Sequence, residues 1–210
     1  MSWLVIGVSG VSCSGKTSLA QSIANVFSDS VLTEKFYPNL KIGQVKLVCQ
    51  DDYFWPIDHP KHEWVKVNGV DHINREQLSA LDMDKMCDDL MRIIGNENVV
   101  SKGSITAAAV SNPLNILIIE GFLIFNHKLT AELCQVKICL SISFENCFDR
   151  RKVRVYKQRT PPGYFENYTW PLYESHFNEF KNTEGLIIIN GGDTMESCTD
   201  KALSFIKMYL

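Results

Sequence analysis

The sequence predicts a single three-layer α/β domain built on a roughly five-stranded parallel sheet. Three observations carry this. Short, continuously apolar runs read as strands buried on both faces. Stretches with helical spacing of apolar residues alternate with those runs. Alternation of this kind implies right-handed βαβ crossovers and a sheet covered on both sides. At 210 residues and 45% hydrophobic composition, the chain supports one sizeable core, and residues 1–210 are expected to form one domain.

Trp3 to Val8 is the first such run, and it leads directly into a glycine-rich turn. From about Lys16, Leu19, Ile23, Val26 and Phe27 give one apolar helical face. "KLVCQDDYF" is a second apolar run, closed by two carboxylates, and Met86, Leu90, Ile93 and Ile94 mark another amphipathic helix. "NILIIEGFLIF" is the strongest strand signal, continuous from Ile116 to Ile119 and ending in Glu120. "VKICLSI" and "GLIIIN" supply two more strands. Residues 28–46, residues 56–70 and "KQRTPPGYFENYTWP" read as loops, and long loops in a compact α/β domain tend to be functional.

The formal net charge of −3 gives no global reason to bind nucleic acid or an anionic membrane. Seven cysteines without a C-x-x-C pair suit neither a disulfide framework nor a zinc ribbon, so reduced thiols in the cytoplasm are expected. The first residues resemble neither a signal peptide nor a membrane span.

Gly10, Gly15, Lys16 and Thr17 fit G-x-x-x-x-G-K-[ST], and they stand between an apolar strand and an amphipathic helix, where a phosphate loop belongs. In that arrangement the backbone N–H groups from Gly10 through Ser12, Ser14 and Ser18 surround phosphates. Lys16 then reaches the β- and γ-oxygens of ATP, and Thr17 coordinates Mg²⁺. No D-x-x-G or N-K-x-D element of a GTPase is present. Glu120, at a strand end beside the loop, is placed to organise the metal. Phosphoryl transfer also needs a carboxylate to take the acceptor's proton, and Asp51 and Asp52 close a strand where ligands gather. Adjacent residues on an extended segment point opposite ways, so one of the two is expected to face the reaction.

"RRKVRVYKQR" is a local basic cluster leading into Pro-Pro-Gly. On a helix, Arg150 and Arg154 share a face, with Arg151 offset. The segment resembles the arginine-rich lid of a nucleoside monophosphate-type kinase; a solvated basic face or an RNA-contacting surface is the alternative.

With "GVSCSGKTSL", "QDDYF", "LIIEGFLIFN" and "RRKVRVY...PPGYFENYTWPLY", the chain resembles the nicotinamide riboside kinases, small members of the uridine kinase-like P-loop group, over nearly its whole length. The resemblance implies a P-loop kinase fold with an arginine-rich lid. It further implies ATP- and Mg²⁺-dependent phosphorylation of the ribose 5′-hydroxyl of nicotinamide riboside, giving nicotinamide mononucleotide for NAD synthesis, with nicotinic acid riboside left open as a second acceptor. It makes Asp51 the catalytic base, with Asp52 and Tyr53 beside the acceptor, and Glu120 an aid to Mg²⁺. Arg150 and Arg154 become phosphate-contacting lid residues, Arg151 a ribose-hydroxyl donor, and Tyr156 a stacking partner for the pyridine ring.

Two positions depart from the family pattern. Glu76 stands where an aspartate holds the ribose 2′- and 3′-hydroxyls, and a glutamate can make the same bonds with a longer arm. Arg75 stands where an aromatic completes the stack, and a cation beside a pyridinium is unfavourable, so Arg75, though counted among the substrate-binding positions, is expected to turn towards solvent. The alternative is that it lies against the base, favouring a neutral pyrimidine or nicotinic acid riboside, whose carboxylate it could bind. His59 and His62 read as loop residues rather than metal ligands. The rival readings are a uridine/cytidine kinase or another small-metabolite kinase and, from a different class, an ATP-binding regulatory or interaction protein.

Overall fold

The structure is a computed structural model, and it describes residues 2–95, 98–99, 113–154 and 160–210. Strand β1 (Ser2–Gly10) runs into the glycine-rich turn and helix α1 (Lys16–Ser28), followed by α2 (Ser30–Phe36) and β2 (Ile42–Cys49). A hairpin of β3 (Trp64–Val67) and β4 (Val70–Ile73) precedes α3 (Met83–Ile94) and the two-residue β5 (Asn98–Val99). Then come β6 (Leu114–Glu120), α4 (Lys128–Leu133), β7 (Val136–Ser141), α5 (Phe144–Val153), α6 (Trp170–Phe180), β8 (Leu186–Asn190) and α7 (Met195–Ile206).

Five parallel strands follow the order β2-β6-β1-β7-β8, with β5 added alongside β1. The expected five-stranded parallel sheet is therefore present. Its order places β1 and β6 at the centre, where every residue of β6 is buried. That burial explains the unbroken Ile116 to Ile119 run, since a strand covered on both faces has no solvent side to mark with polar residues.

Two apolar layers flank the sheet. Leu4, Ile6 and Ile118 face α1 and α7 through Leu19, Ile23 and Leu203. Val5, Leu117 and Ile119 face α3 and α6 through Met86, Leu90 and Phe180. At roughly 25 cal/mol per Å² of apolar area removed from water, these two layers are the main source of the fold's stability.

The three expected loops contain more order than their composition suggested. Residues 28–46 include α2, capped by the Asp29 side chain accepting from the Val31 and Leu32 N–H groups, as well as the start of β2. Residues 56–70 include β3, and Phe165–Thr169 form a π-helical turn that runs into α6. The expected basic helix stops early. Helix α5 ends at Val153 and Arg154 is extended (φ −77°, ψ 130°), so Arg150 and Arg154 do not share a helical face.

No helix among the described residues is long and apolar enough to cross a membrane.

Candidate active site

Sheet register brings the chemistry together. Glu120 is the partner of Val8 on one side and of Cys49 on the other, so the ends of β1, β6 and β2 lie side by side. Everything that follows these strand ends gathers above them, as it does generally at the carboxyl edge of a parallel sheet.

After β1 the chain turns through Cys13 (φ 66°) and Gly15 (φ 99°), both left-handed, before α1 begins at Lys16. Gly15 meets this requirement without penalty, whereas Cys13 holds a conformation uncommon for a residue with a side chain. Successive turns of this kind leave backbone N–H groups facing a common centre, a concavity suited to an anion. The Ser14 hydroxyl is buried beside it with no hydrogen-bond partner among the described residues, Lys16 is buried, and Ser12 lines the adjoining cavity. Ser18 is exposed on the first turn of α1.

The Thr17 hydroxyl donates to Glu120 Oε1 at 3.0 Å, and the Cys49 thiol donates to the same oxygen at 2.8 Å. Burial, followed by the bond to Glu120, pushes the Cys49 thiol up to about 12, so it remains a protonated donor. Glu120 is 1% exposed, and its Oε2 has no hydrogen-bond partner among the described residues. A buried carboxylate oxygen without a partner, next to a threonine hydroxyl, is a donor set for a hard cation such as Mg²⁺.

Asp51 and Asp52 lie on a 3₁₀ turn, Gln50–Tyr53, rather than on an extended segment. The separation expected of them is nevertheless found, because Asp51 lines the cavity and Asp52 does not. Gln50 fixes the turn: fully buried, it accepts the Leu123 N–H at 3.0 Å through Oε1 and points Nε2 at the Met83 sulfur. Tyr53 is directed elsewhere. Its hydroxyl donates to Asp89 on α3 at 3.1 Å, and Lys85 lies 4.9 Å from its ring centroid.

A cavity of about 490 Å³ joins the phosphate loop to the acceptor side, with Lys16, Thr17, Asp51, Glu76, Arg151 and Arg154 in its lining. Glu76 is held from several directions. Thr169 donates to Oε1 at 2.9 Å, His176 Nε2 donates to the Glu76 carbonyl at 2.9 Å, and the Glu76 N–H donates to Asn74 at 3.2 Å. Burial raises its carboxyl above the usual range, opposed by the Thr169 bond and by the charges of Arg151 and Lys16.

Arg151 donates to Thr160 at 3.4 Å and lies over the Phe165 ring at 5.2 Å. Arg150 reaches the outer shoulder of the phosphate loop, donating to the carbonyls of Cys13 (3.3 Å) and Ser14 (3.5 Å). Arg154 Nη1 stands 3.9 Å from the Cys13 sulfur. Despite the early end of α5, all three arginines therefore converge on the loop and cavity. Tyr156 lies outside the described residues.

Arg75 does not turn to solvent as expected. It lines the cavity, with its guanidinium 5.4 Å from the Phe54 ring centroid and its N–H bonded to the Tyr164 hydroxyl at 2.9 Å. An aromatic face offers the cation a favourable place inside the cavity. Trp55, His72, Phe122 and Tyr164 also line the cavity, and no local motif singles them out. His59 and His62 support this wall: His59 stacks on Trp55 at 4.0 Å, and His62 Nε2 donates to the Pro56 carbonyl at 2.7 Å.

The chain is similar to known proteins in family and fold. A family model described as phosphoribulokinase/uridine kinase matches residues 5–163. The chain is 30% identical to nicotinamide riboside kinase 1 of Mus musculus over 100% of this chain and 97% of that protein. It is 25% identical to nicotinamide riboside kinase 2 of Homo sapiens over 97% of this chain and 81% of that one. It is 26% identical to a uridine kinase of Chlamydia pneumoniae over 73% and 64% of the respective chains. Among solved structures, an unliganded sugar kinase from Janibacter sp. HTCC2649 shares the fold, with a TM-score of 0.52 at 13% identity, covering 98% of this chain and 95% of that one.

Proposed function

The chain belongs to the phosphoribulokinase/uridine kinase family, and on that premise we propose that it transfers the γ-phosphoryl group of ATP to the ribose 5′-hydroxyl of nicotinamide riboside, forming nicotinamide mononucleotide for NAD synthesis. The observation that carries this reading is the single cavity shared by Lys16 and Thr17, which suit donor phosphates, and by Asp51, Glu76 and Arg151, which suit a ribose. A volume of about 490 Å³ falls within the range of small-ligand sites.

The 5′-oxygen attacks the γ-phosphorus, the bond to the bridging oxygen of ADP breaks, and the hydroxyl proton passes to the Asp51 carboxylate. Lys16 and the loop N–H groups hold the β- and γ-oxygens, and Arg150 and Arg154 add positive charge as an arginine-rich lid. Glu76 accepts hydrogen bonds from the ribose hydroxyls, and Arg151 donates to them. Thr17 and Glu120 would hold Mg²⁺, which when bound neutralises charge on the β- and γ-phosphates. Seven free thiols suit a reducing compartment, and we place the enzyme in the cytoplasm.

The uridine kinase relatives keep pyrimidine nucleosides as a second reading of the acceptor. A purely regulatory ATP-binding role would give Asp51 and Glu76 no task in the cavity. The test is an acceptor panel of nicotinamide riboside, nicotinic acid riboside, uridine and cytidine with ATP and Mg²⁺, read by product mass. A gain of one phosphoryl group on a pyridine riboside supports the reading. Phosphorylation of pyrimidine nucleosides alone contradicts it, and ATP binding without any acceptor product favours the regulator.

A further inference from the structure

The acceptor end of the cavity carries a cation that the proposed reaction does not use. Arg75 lines the same space as Asp51 and Glu76. Its backbone N–H donates to the Tyr164 hydroxyl, and its guanidinium lies against Phe54. His72 meets the Tyr164 ring edge-on, with centroids 4.7 Å apart. Burial, and then the charge of Arg75, holds the His72 imidazole below its usual range, so the neighbouring ring is neutral at neutral pH. The indole N–H of Trp55, another lining residue, is buried without a hydrogen-bond partner among the described residues. This end of the site thus offers donors and the Arg75 cation. Among the described residues, the carboxylates lining the cavity are Asp51 and Glu76, and the latter is engaged by Thr169 and by the charges of Arg151 and Lys16.

Resting on the reading of the acceptor as a pyridine riboside, we propose that Arg75 is a specificity residue selecting ribosides whose base carries a carboxylate, so that nicotinic acid riboside is preferred over nicotinamide riboside. A carboxylate offers two oxygens to the planar guanidinium fork, and charge-assisted pairs of this kind are the strong ones. A carboxamide offers one acceptor oxygen and presents an NH₂ group towards other donors. The acid riboside is a zwitterion, whereas the amide riboside brings an uncompensated pyridinium charge towards Arg75. The phosphoryl-transfer step is unchanged; only the acceptor that reaches it differs.

The test measures kcat/KM for nicotinic acid riboside, nicotinamide riboside and uridine in the parent, Arg75→Gln and Arg75→Lys, with ATP affinity and thermal melting confirming that the variants fold. The expected parent favours the acid by about 10-fold or more. Arg75→Gln loses about 10- to 100-fold on the acid, chiefly in KM, and its acid-to-amide ratio falls accordingly. Arg75→Lys, which keeps the charge without the fork, falls between them. Because the Tyr164 bond is to the Arg75 backbone, neither substitution removes it. A parent indifferent to acid and amide, or an acid-to-amide ratio unchanged in Arg75→Gln, overturns the proposal while leaving the pyridine-riboside reading intact. A parent that phosphorylates uridine and neither pyridine riboside overturns that reading instead.

Discussion

The Thr17 hydroxyl and the Glu120 carboxylate meet at 3.0 Å, joining the first turn of the phosphate-loop helix to the end of the central strand. The contact leaves Glu120 Oε2 buried and without a partner among the described residues, one strand away from Cys49. A buried polar oxygen left unpaired costs stability unless it serves a cation. Glu120→Gln is therefore expected to lower kcat by about 100-fold and to raise the Mg²⁺ concentration needed for half-maximal rate, while the shape of the pocket is retained. A magnesium titration of both proteins checks this, and an unchanged metal requirement would remove Glu120 from that role.

Glu76 should show function and stability in opposition. Its carboxyl is raised above the usual range, chiefly by burial. The native state therefore holds this proton at a pH where the unfolded chain has released it. The group's contribution to stability is present below the unfolded value and is lost as pH rises through the raised native value. Above the unfolded value the buried Glu76 carboxyl therefore costs the ligand-free fold stability. Glu76→Gln should melt higher than the parent above the raised native value, with the advantage shrinking as the pH falls from the native value to the unfolded one. The same variant should lose about 10- to 100-fold in kcat/KM for the riboside. Melting curves across pH, paired with kinetics, measure both effects.

Tyr53 provides a contrast within the same motif. Its hydroxyl is committed to Asp89, away from the cavity. Tyr53→Phe is expected to cost about 1 kcal/mol of stability and to leave kcat/KM within about threefold of the parent. A large kinetic loss with little change in denaturation midpoint would place Tyr53 in the acceptor site after all.

The legibility of the sequence followed burial. Strands β1 and β6 announced themselves because each is covered on both faces and so reads as an apolar run. Strand β2 sits at the sheet edge, with Gln44, Lys46 and Leu47 exposed, and only its buried end resembled a strand. The β3–β4 hairpin did carry a signal: Asn68-Gly69, with φ values of 48° and 83°, is the dipeptide that tight hairpin turns favour. In the site, the phosphate loop and the carboxylates at strand ends were visible because each depends on a local motif. Trp55, His72, Phe122 and Tyr164 were not, because four distant segments converge only after folding. Arg75 was misjudged for a related reason. The aromatic face that holds it belongs to Phe54, 21 residues earlier in the chain.

Asp51, in the cavity it shares with Lys16, is proposed to take the proton from the acceptor hydroxyl. Asp51→Asn is nearly isosteric and leaves the Gln50 anchor in place, so the measurement is single-turnover phosphorylation of nicotinamide riboside and nicotinic acid riboside alongside ATP affinity in parent and variant. ATP affinity is expected to stay within about threefold of the parent, and the phosphoryl-transfer rate to fall at least about 100-fold on either acceptor. A variant that transfers phosphate at near-parent rates would contradict it.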